Sequence, residues 1–321
     1  MSDNSSGTSL SKGKLGTAGI VFFVVAAAAP LLGMTGAVPV AMFLGNGAGA
    51  SGTYLAVGLL LALFAVGYSA MSQKVTNTGA FFAYVGRGLG RNAGVASAFA
   101  SIVGYVTIQL AIYGFFGGVM ALMVPGLPWY GWGLVAWAVA TLLSLFSVDI
   151  GSKVLGVLMI LEVLALAVTA VAILVQNAGS IDFVAAFSPD AILAGGVTGT
   201  AGIAIAFAFA SFIGFEATAI YGEESKDPKR SVAKATYWAI GLITGLFAVV
   251  SLAMSTAMAS YSNPAGPEGL QEGLYGYIAE FGALDPAVGL TNPAGVLQHM
   301  ADVSLGGTWM STIMGYLVLT S

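Results

Sequence analysis

Eight long apolar runs, near residues 17–44, 53–73, 93–118, 131–147, 154–176, 197–221, 236–260 and 304–321, leave this chain few ways to fold. About 20 apolar residues make a helix that crosses a bilayer. A membrane β-barrel would show alternating segments of about 10 residues, whereas these runs are longer and do not alternate. Only 7% of the residues are charged against 58% hydrophobic, while soluble domains carry roughly 25% charge. Such a chain cannot cover a water-exposed surface, so its solvent is largely lipid. The runs are rich in Gly, Ala and Ser, which lets helix backbones approach closely inside a bilayer. The expected fold is an all-α polytopic membrane protein, a tightly packed bundle of about eight spans.

Basic residues near span ends set orientation. With the N-terminus inside, the inner segments hold Lys12 and Lys14, then Lys74, Arg87 and Arg91, then Lys153, then Lys226, Lys229, Arg230 and Lys234, which are all ten basic residues. The outer segments hold Asp182, Asp190, Glu268, Glu272, Glu280, Asp285 and Asp302 instead. This alternation predicts a multi-pass protein of the plasma (inner) membrane, with residues 1–16 as a cytoplasmic tail. Span one then runs outward and span six inward. Lys12 and Lys14 ahead of Ala26-Ala27-Ala28-Ala29 have the look of a signal peptide. An apolar signal core is only ~7–15 residues long, so an uncleaved first span is the better reading. The last run reaches Ser321 without a polar cap, so the chain reads as cut within span eight. The outer segment 261–303 reads as an ordered loop with a short helix.

The absence of cysteine removes disulfides and thiolate metal sites, and a single histidine, His299, argues against a His-based metal cluster. A net charge of −4 points to no nucleic-acid partner. The expected partners are the lipid bilayer and a small amino acid or amine; oligomeric state stays open. No cofactor is expected apart from a coupling ion, H+ or Na+, between which the sequence does not choose.

Within the runs only Glu162 and Glu216 are charged. An ionisable group at bilayer depth is costly and faces a partner, a cavity or a pathway. Both are coupling candidates; the plain alternative is a protonated glutamate bonded to a neighbouring helix. Pro30 and Pro39 flank Gly33-Met34-Thr35-Gly36. Proline removes a helix hydrogen bond and glycine loosens the backbone, which predicts either a break near residues 32–37 or a kink with tight packing at the two glycines. In span six, Gly214 follows Ser211 and marks a second break. Paired interruptions in corresponding spans point to a transporter's substrate site. Half-helix N-termini suit a carboxylate and C-termini an ammonium, so two facing breaks suit a zwitterion.

Tyr105, Gln109 and Tyr113 are spaced i, i+4, i+8, a stripe that either lines a cavity or bonds a neighbouring helix. Phe209 and Phe212 read as an aromatic gate or as ordinary packing. Trp129, Tyr130 and Trp132 suit an interfacial belt. Gly49-Ala50-Ser51-Gly52 has the spelling of an intramembrane serine protease, with His299 as a conceivable base, but Ser51 lies in a short outer turn. A channel or a non-transporting sensor is a further alternative, since fold does not fix function.

Gly214-Phe215-Glu216, then Glu223-Glu224, then Asp227-Pro228-Lys229-Arg230-Ser231-Val232 resembles the sixth-span and loop signature of the amino acid–polyamine–organocation permeases. Gly79-Ala80-Phe81-Phe82-Ala83-Tyr84-Val85 is similar to that family's loop between spans two and three. The resemblance runs from about Leu15 to the end. It implies the LeuT-type fold with inverted five-helix repeats, here residues 17–176 (spans one to five) and a partial second repeat, 197–321. It implies a permease rather than an enzyme. The candidate substrate residues, from the two breaks, the stripe and the aromatic pair, are Gly33, Met34, Thr35, Gly36, Tyr105, Gln109, Phe209, Ser211, Phe212 and Gly214. The first-break glycines depart from the family's Gly-x-Gly. Many proton-coupled or sodium-independent members carry a lysine where this chain has Glu162; a carboxyl carries a proton but cannot replace an ammonium electrostatically. Glu216 and Glu223, seven apart, share a helix face. Glu223 and Glu224 at the inner mouth either pair with Arg87, Arg91, Lys229 or Arg230 as an inner gate or stand as solvated charge at a helix end.

Overall fold

The computed structural model describes residues 16–75, 79–124, 126–144, 148–196, 199–221, 225–259, 270–286 and 289–319. Helix α1 (Thr17–Ala27) stops at Ala29, whose φ of 43° and ψ of 66° are left-handed. The helix resumes at Pro30 (α2, Pro30–Leu32), widens into a π-helical turn over Gly33–Ala37, and continues as α3 (Val38–Ala41). The interruption therefore lies at Ala28–Ala29 and not within 32–37. The residue before a proline is pushed out of the α region, so Pro30 breaks the helix in front of itself and then serves as a first helical residue. Gly33 and Gly36 act in packing: a Cβ on either would stand 3.1 Å from the Phe247 or the Phe115 ring. A second π turn (Met42–Asn46) leads to Gly47, whose φ of 59° turns the chain into α4 (Ala50–Ser72).

The segment between spans two and three forms a helix, α5 (Ala80–Leu89), rather than the expected loop. It is followed by α6 (Arg91–Met123), α7 (Trp129–Ser144) and α8 (Val148–Gln176). Two short helices, α9 (Phe183–Phe187) and α10 (Pro189–Leu193), are capped by Asp182 and Ser188, whose side chains accept from the backbone amides of the next turn. Span six is divided into α11 (Ala201–Ser211) and α12 (Ala217–Ile220). Then come α13 (Pro228–Ala259), α14 (Leu270–Phe281), α15 (Pro293–Leu305) and α16 (Trp309–Val318). The described residues of the outer segment thus hold two helices where one was expected. They are joined by a small antiparallel pair, Leu284 opposite Leu290 and Asp285 opposite Gly289.

Among the described residues four helical stretches are long and apolar enough to cross a membrane: Thr17–Ser72, Arg91–Met123, Gly156–Gln176 and Arg230–Ala259. The first divides at the Gly45–Gly47 corner. The chain is an all-α integral membrane protein. Broad outward faces, such as Leu59, Leu60 and Leu63 on α4 or Phe99, Ile102 and Val106 on α6, are exposed and apolar, as a lipid-facing surface must be.

The core forms where α13 packs on α4, α1 and α8. Its buried face runs Ala239, Ile240, Ile243, Phe247, Val250 and Met254. Polar residues in this core are satisfied within their own helices: Thr35, Thr244 and Ser251 each donate to the carbonyl four residues back. At the outer end Gly196 and Thr200 donate to the Gly45 and Leu44 carbonyls, and Asn46 Nδ2 reaches Thr53 Oγ1 and the Ile192 carbonyl. These bonds hold the start of span six beside the end of span one. His299 on α15 bonds Tyr277 at 2.7 Å and stacks on Phe281. Burial there lowers its pKa, against the opposing pull of Asp302 and Glu280.

Helices α4 and α13 cross closely at Gly58, where a Cβ would stand 2.1 Å from Thr244 Oγ1 and 2.8 Å from Thr244 Cβ. Gly58→Val is expected to force α4 off α13 and cost about 1–3 kcal/mol or more, read as a lower unfolding temperature in detergent. Gly67→Val on the same helix meets nothing within 4 Å and is expected to leave that temperature unchanged.

Candidate functional site

Span six is interrupted because the chain cannot continue as a helix through Gly214, whose φ of 111° belongs to the left-handed side. The turn Phe212–Glu216 separates α11 from α12 and packs on the other interruption. A Cβ on Gly214 would lie 3.1–3.2 Å from the Ala27 carbonyl carbon and oxygen and from the Ala28 nitrogen. The two breaks therefore touch, backbone to backbone. In span one the Ala28 and Ala29 amides close on Val24 and Ala26, and the next regular bond runs from Gly33 to Ala29. The Ala27 and Ala28 carbonyls and the Leu31 and Leu32 amides are thus left outside the ladder, as expected at helix ends.

Glu216 ties the span-six turn together. It is buried, with one oxygen accepting from the Gly214 amide at 2.9 Å and the other from the Tyr105 hydroxyl on α6. Both oxygens are thus engaged as acceptors. Two tyrosines of α4 brace the same turn: Tyr54 bonds Ser211 at 3.1 Å, and Tyr68 donates to the Glu216 carbonyl at 2.6 Å. Removing that hydroxyl leaves the Glu216 carbonyl with the longer bond from the Ala219 amide at 3.1 Å. Tyr68→Phe is expected to cost about 0.5–1.5 kcal/mol, measured as a lower unfolding temperature, and Tyr54→Phe no more, because Ser211 also donates to the Phe207 carbonyl.

A cavity of about 220 Å³ opens beside the turn. Its wall is Leu61 of α4, Phe81 of α5, Ser101, Gly104 and Tyr105 of α6, Phe209 of α11, and Phe212, Ile213, Phe215 and Glu216 of the turn. On one side it is closed by an aromatic cluster in which Phe81, Tyr68 and Phe215 lie 5.4–6.2 Å apart, with Tyr84 against Tyr68. Burial in that cluster pushes Tyr84 up to about 12, so its hydroxyl stays neutral.

Of the residues singled out in the sequence, the structure gathers Tyr105, Phe209, Phe212 and Glu216 around this cavity, with Gly214 between them. Ser211 sits behind, bonded to Tyr54. Gly33, Met34 and Thr35 are buried and Gly36 is half-buried, and all four are outside the cavity wall. Gln109 is exposed, and Tyr113 lies against Gly133 of α7. The i, i+4, i+8 stripe divides because each four-residue step advances about 40° around a helix of 3.6 residues per turn. The wall on α6 is Ser101, Gly104 and Tyr105 instead. Glu162 is buried on the α8 face that carries Met159, Leu166 and Thr169, away from the cavity wall. Glu223 and Glu224 lie outside the described residues. Ser51 is buried with its hydroxyl bonded to nothing among the described residues, and His299 Nδ1 is taken by Tyr277, so no serine–histidine pair forms. The bracing tyrosines were not anticipated. Their signal was polar-tipped aromatics on a lipid-depth helix, which need a partner when buried.

Curated proteins give no match to this chain. The family model described as amino acid permease matches residues 22–307, a stretch that holds both interruptions, Glu216 and the whole cavity wall. Its length, well over half of the chain, places the protein in a family of membrane transporters: the chain belongs to the amino acid permeases.

Proposed function

We propose that this permease is a secondary active transporter for a neutral amino acid or related amine, working by alternating access around the interrupted spans one and six. The observation that carries the reading is the backbone contact between the Gly214 turn and the Ala27–Ala28 break, beside a cavity edged by Glu216. Broken helices meeting at one depth supply free backbone groups for a charged ligand where lipid supplies none. The Ala27 and Ala28 carbonyls are suited to a substrate ammonium, and the Leu31 and Leu32 amides to its carboxylate. Tyr105, Phe209 and Phe212 then enclose the side chain.

The wider frame is the LeuT-type bundle of about eight spans, with repeats at 17–176 and 197–321, a cytoplasmic N-terminus and a place in the plasma membrane. Glu216 is the preferred coupling group. A proton added to either oxygen turns an acceptor into a donor, so its bond to Gly214 or to Tyr105 must be remade. That links a proton to the shape of the turn. Glu162 is the second candidate.

The test is uptake of a labelled amino-acid panel by the purified protein in proteoliposomes, with and without pH and sodium gradients. Saturable uptake with counterflow is the expected result. Unsaturable conductance would make the protein a channel, and failure to bind any amino acid or amine would defeat the permease reading.

A further inference from the structure

Gly104 sits in the middle of α6, and nothing about its own backbone requires a glycine. It lies within an unbroken helix, outside the positive-φ positions, and a Cβ built on it meets no atom within 4 Å. Glycine inside a helix is roughly 0.5–1 kcal/mol worse than alanine. Close-packed glycines differ: at Gly58 or Gly117 a Cβ would collide with a neighbouring helix. At Gly104 the vacant volume belongs to the cavity, whose wall it forms with Ser101 one turn before. The Ser101 hydroxyl turns back to the Ser97 carbonyl, so this residue too presents little more than its Cβ. Across the space stand Phe209, Phe212 and Ile213.

We infer that Gly104 is a specificity-determining residue: the missing side chain on α6 makes room for the apolar side chain of the substrate and sets its upper size. The inference rests on the transporter reading above and sharpens it to neutral amino acids. Among the described residues Glu216 is the one charged residue of the wall, and both its oxygens are engaged by Tyr105 and Gly214. No wall residue is left to balance a charged side chain.

The experiment compares uptake of alanine, valine, leucine, phenylalanine and tryptophan by the wild type, Gly104→Ala and Gly104→Leu in proteoliposomes. Gly114→Leu is the control, since Gly114 lies on the same helix, is open within 4 Å and is outside the cavity wall. A methylene in an apolar pocket is worth roughly 10–200-fold in discrimination. Gly104→Ala is expected to cut uptake of the largest accepted substrate by about 10-fold or more and to leave alanine unchanged. Gly104→Leu is expected to leave only the smallest substrates, and Gly114→Leu to keep the wild-type profile. Alanine is the better helix former, so the milder variant keeps its fold. Ligand-induced thermal stabilisation with the same panel reads the size limit without transport. An active wild type whose size profile is unchanged in both Gly104 variants overturns the inference alone. A wild type that neither takes up nor is stabilised by any of the five defeats the transporter reading as well.

Discussion

Glu216→Gln is expected to leave a folded protein that binds substrate but no longer concentrates it under a pH gradient, with uptake falling to the equilibrative level. The reason is the geometry of the two hydrogen bonds. The carboxylate accepts from the Gly214 amide and from the Tyr105 hydroxyl. Glutamine has one acceptor oxygen and one amide donor. Its oxygen can serve Gly214, while the Tyr105 hydroxyl rotates to accept from the new NH₂. The turn survives, but the side chain no longer takes up or releases a proton. Glu216→Ala removes the acceptor altogether and leaves the Gly214 amide without its partner at bilayer depth. That variant is expected to lose about 1–3 kcal/mol of stability and all uptake. The measurements are uptake against external pH and unfolding temperature in detergent. A glutamine variant that still accumulates substrate under a pH gradient would move the proton to another group, such as Glu162, the other buried carboxyl among the described residues.

Much of this architecture was legible in the apolar runs. Helices α4, α6, α8 and α13 fall where uninterrupted hydropathy put them, because a lipid-exposed backbone must close its hydrogen bonds locally. The break in span six was legible as well, since Gly214 stands in a run that is otherwise good helix. The break in span one was misplaced by about one turn. Two glycines between two prolines drew attention to 33–36, yet the local rule that governs is the restriction on the residue before Pro30. The four alanines that read as a weak cleavage signal are where the helix is interrupted. Tertiary facts were less accessible. Periodicity put Tyr105 and Tyr113 on one stripe, but helix drift and the position of α7 separate them. Nothing local says that Tyr68, well over 100 residues away in sequence, caps the Glu216 carbonyl. That contact exists because α4 and α12 are brought together by α13, which packs against both.

The second large effect is expected at the meeting of the two breaks. Gly214→Ala should reduce transport by at least about 10-fold, because two independent costs coincide. The φ of 111° lies where residues with a Cβ rarely go, and holding one there costs roughly 1–3 kcal/mol. The added carbon would also stand 3.1–3.2 Å from three backbone atoms of Ala27 and Ala28. Backbone cannot swing aside as a flexible side chain does, so the contact opens by a few tenths of an ångström and the Glu216–Gly214 bond is disturbed with it. Ala29 separates the two costs. It is itself left-handed, with φ of 43°, so Ala29→Gly removes strain of about 1–2 kcal/mol against an unfolded-state entropy penalty of about 0.4–1 kcal/mol. That variant is expected to be neutral or slightly more stable, with transport retained. If Gly214→Ala and Ala29→Gly impair transport equally, the backbone dihedrals are not what matters and the facing-break site is wrong. If only Gly214→Ala does, and its unfolding temperature falls while that of Ala29→Gly does not, the close approach of the two interrupted helices is what the site requires.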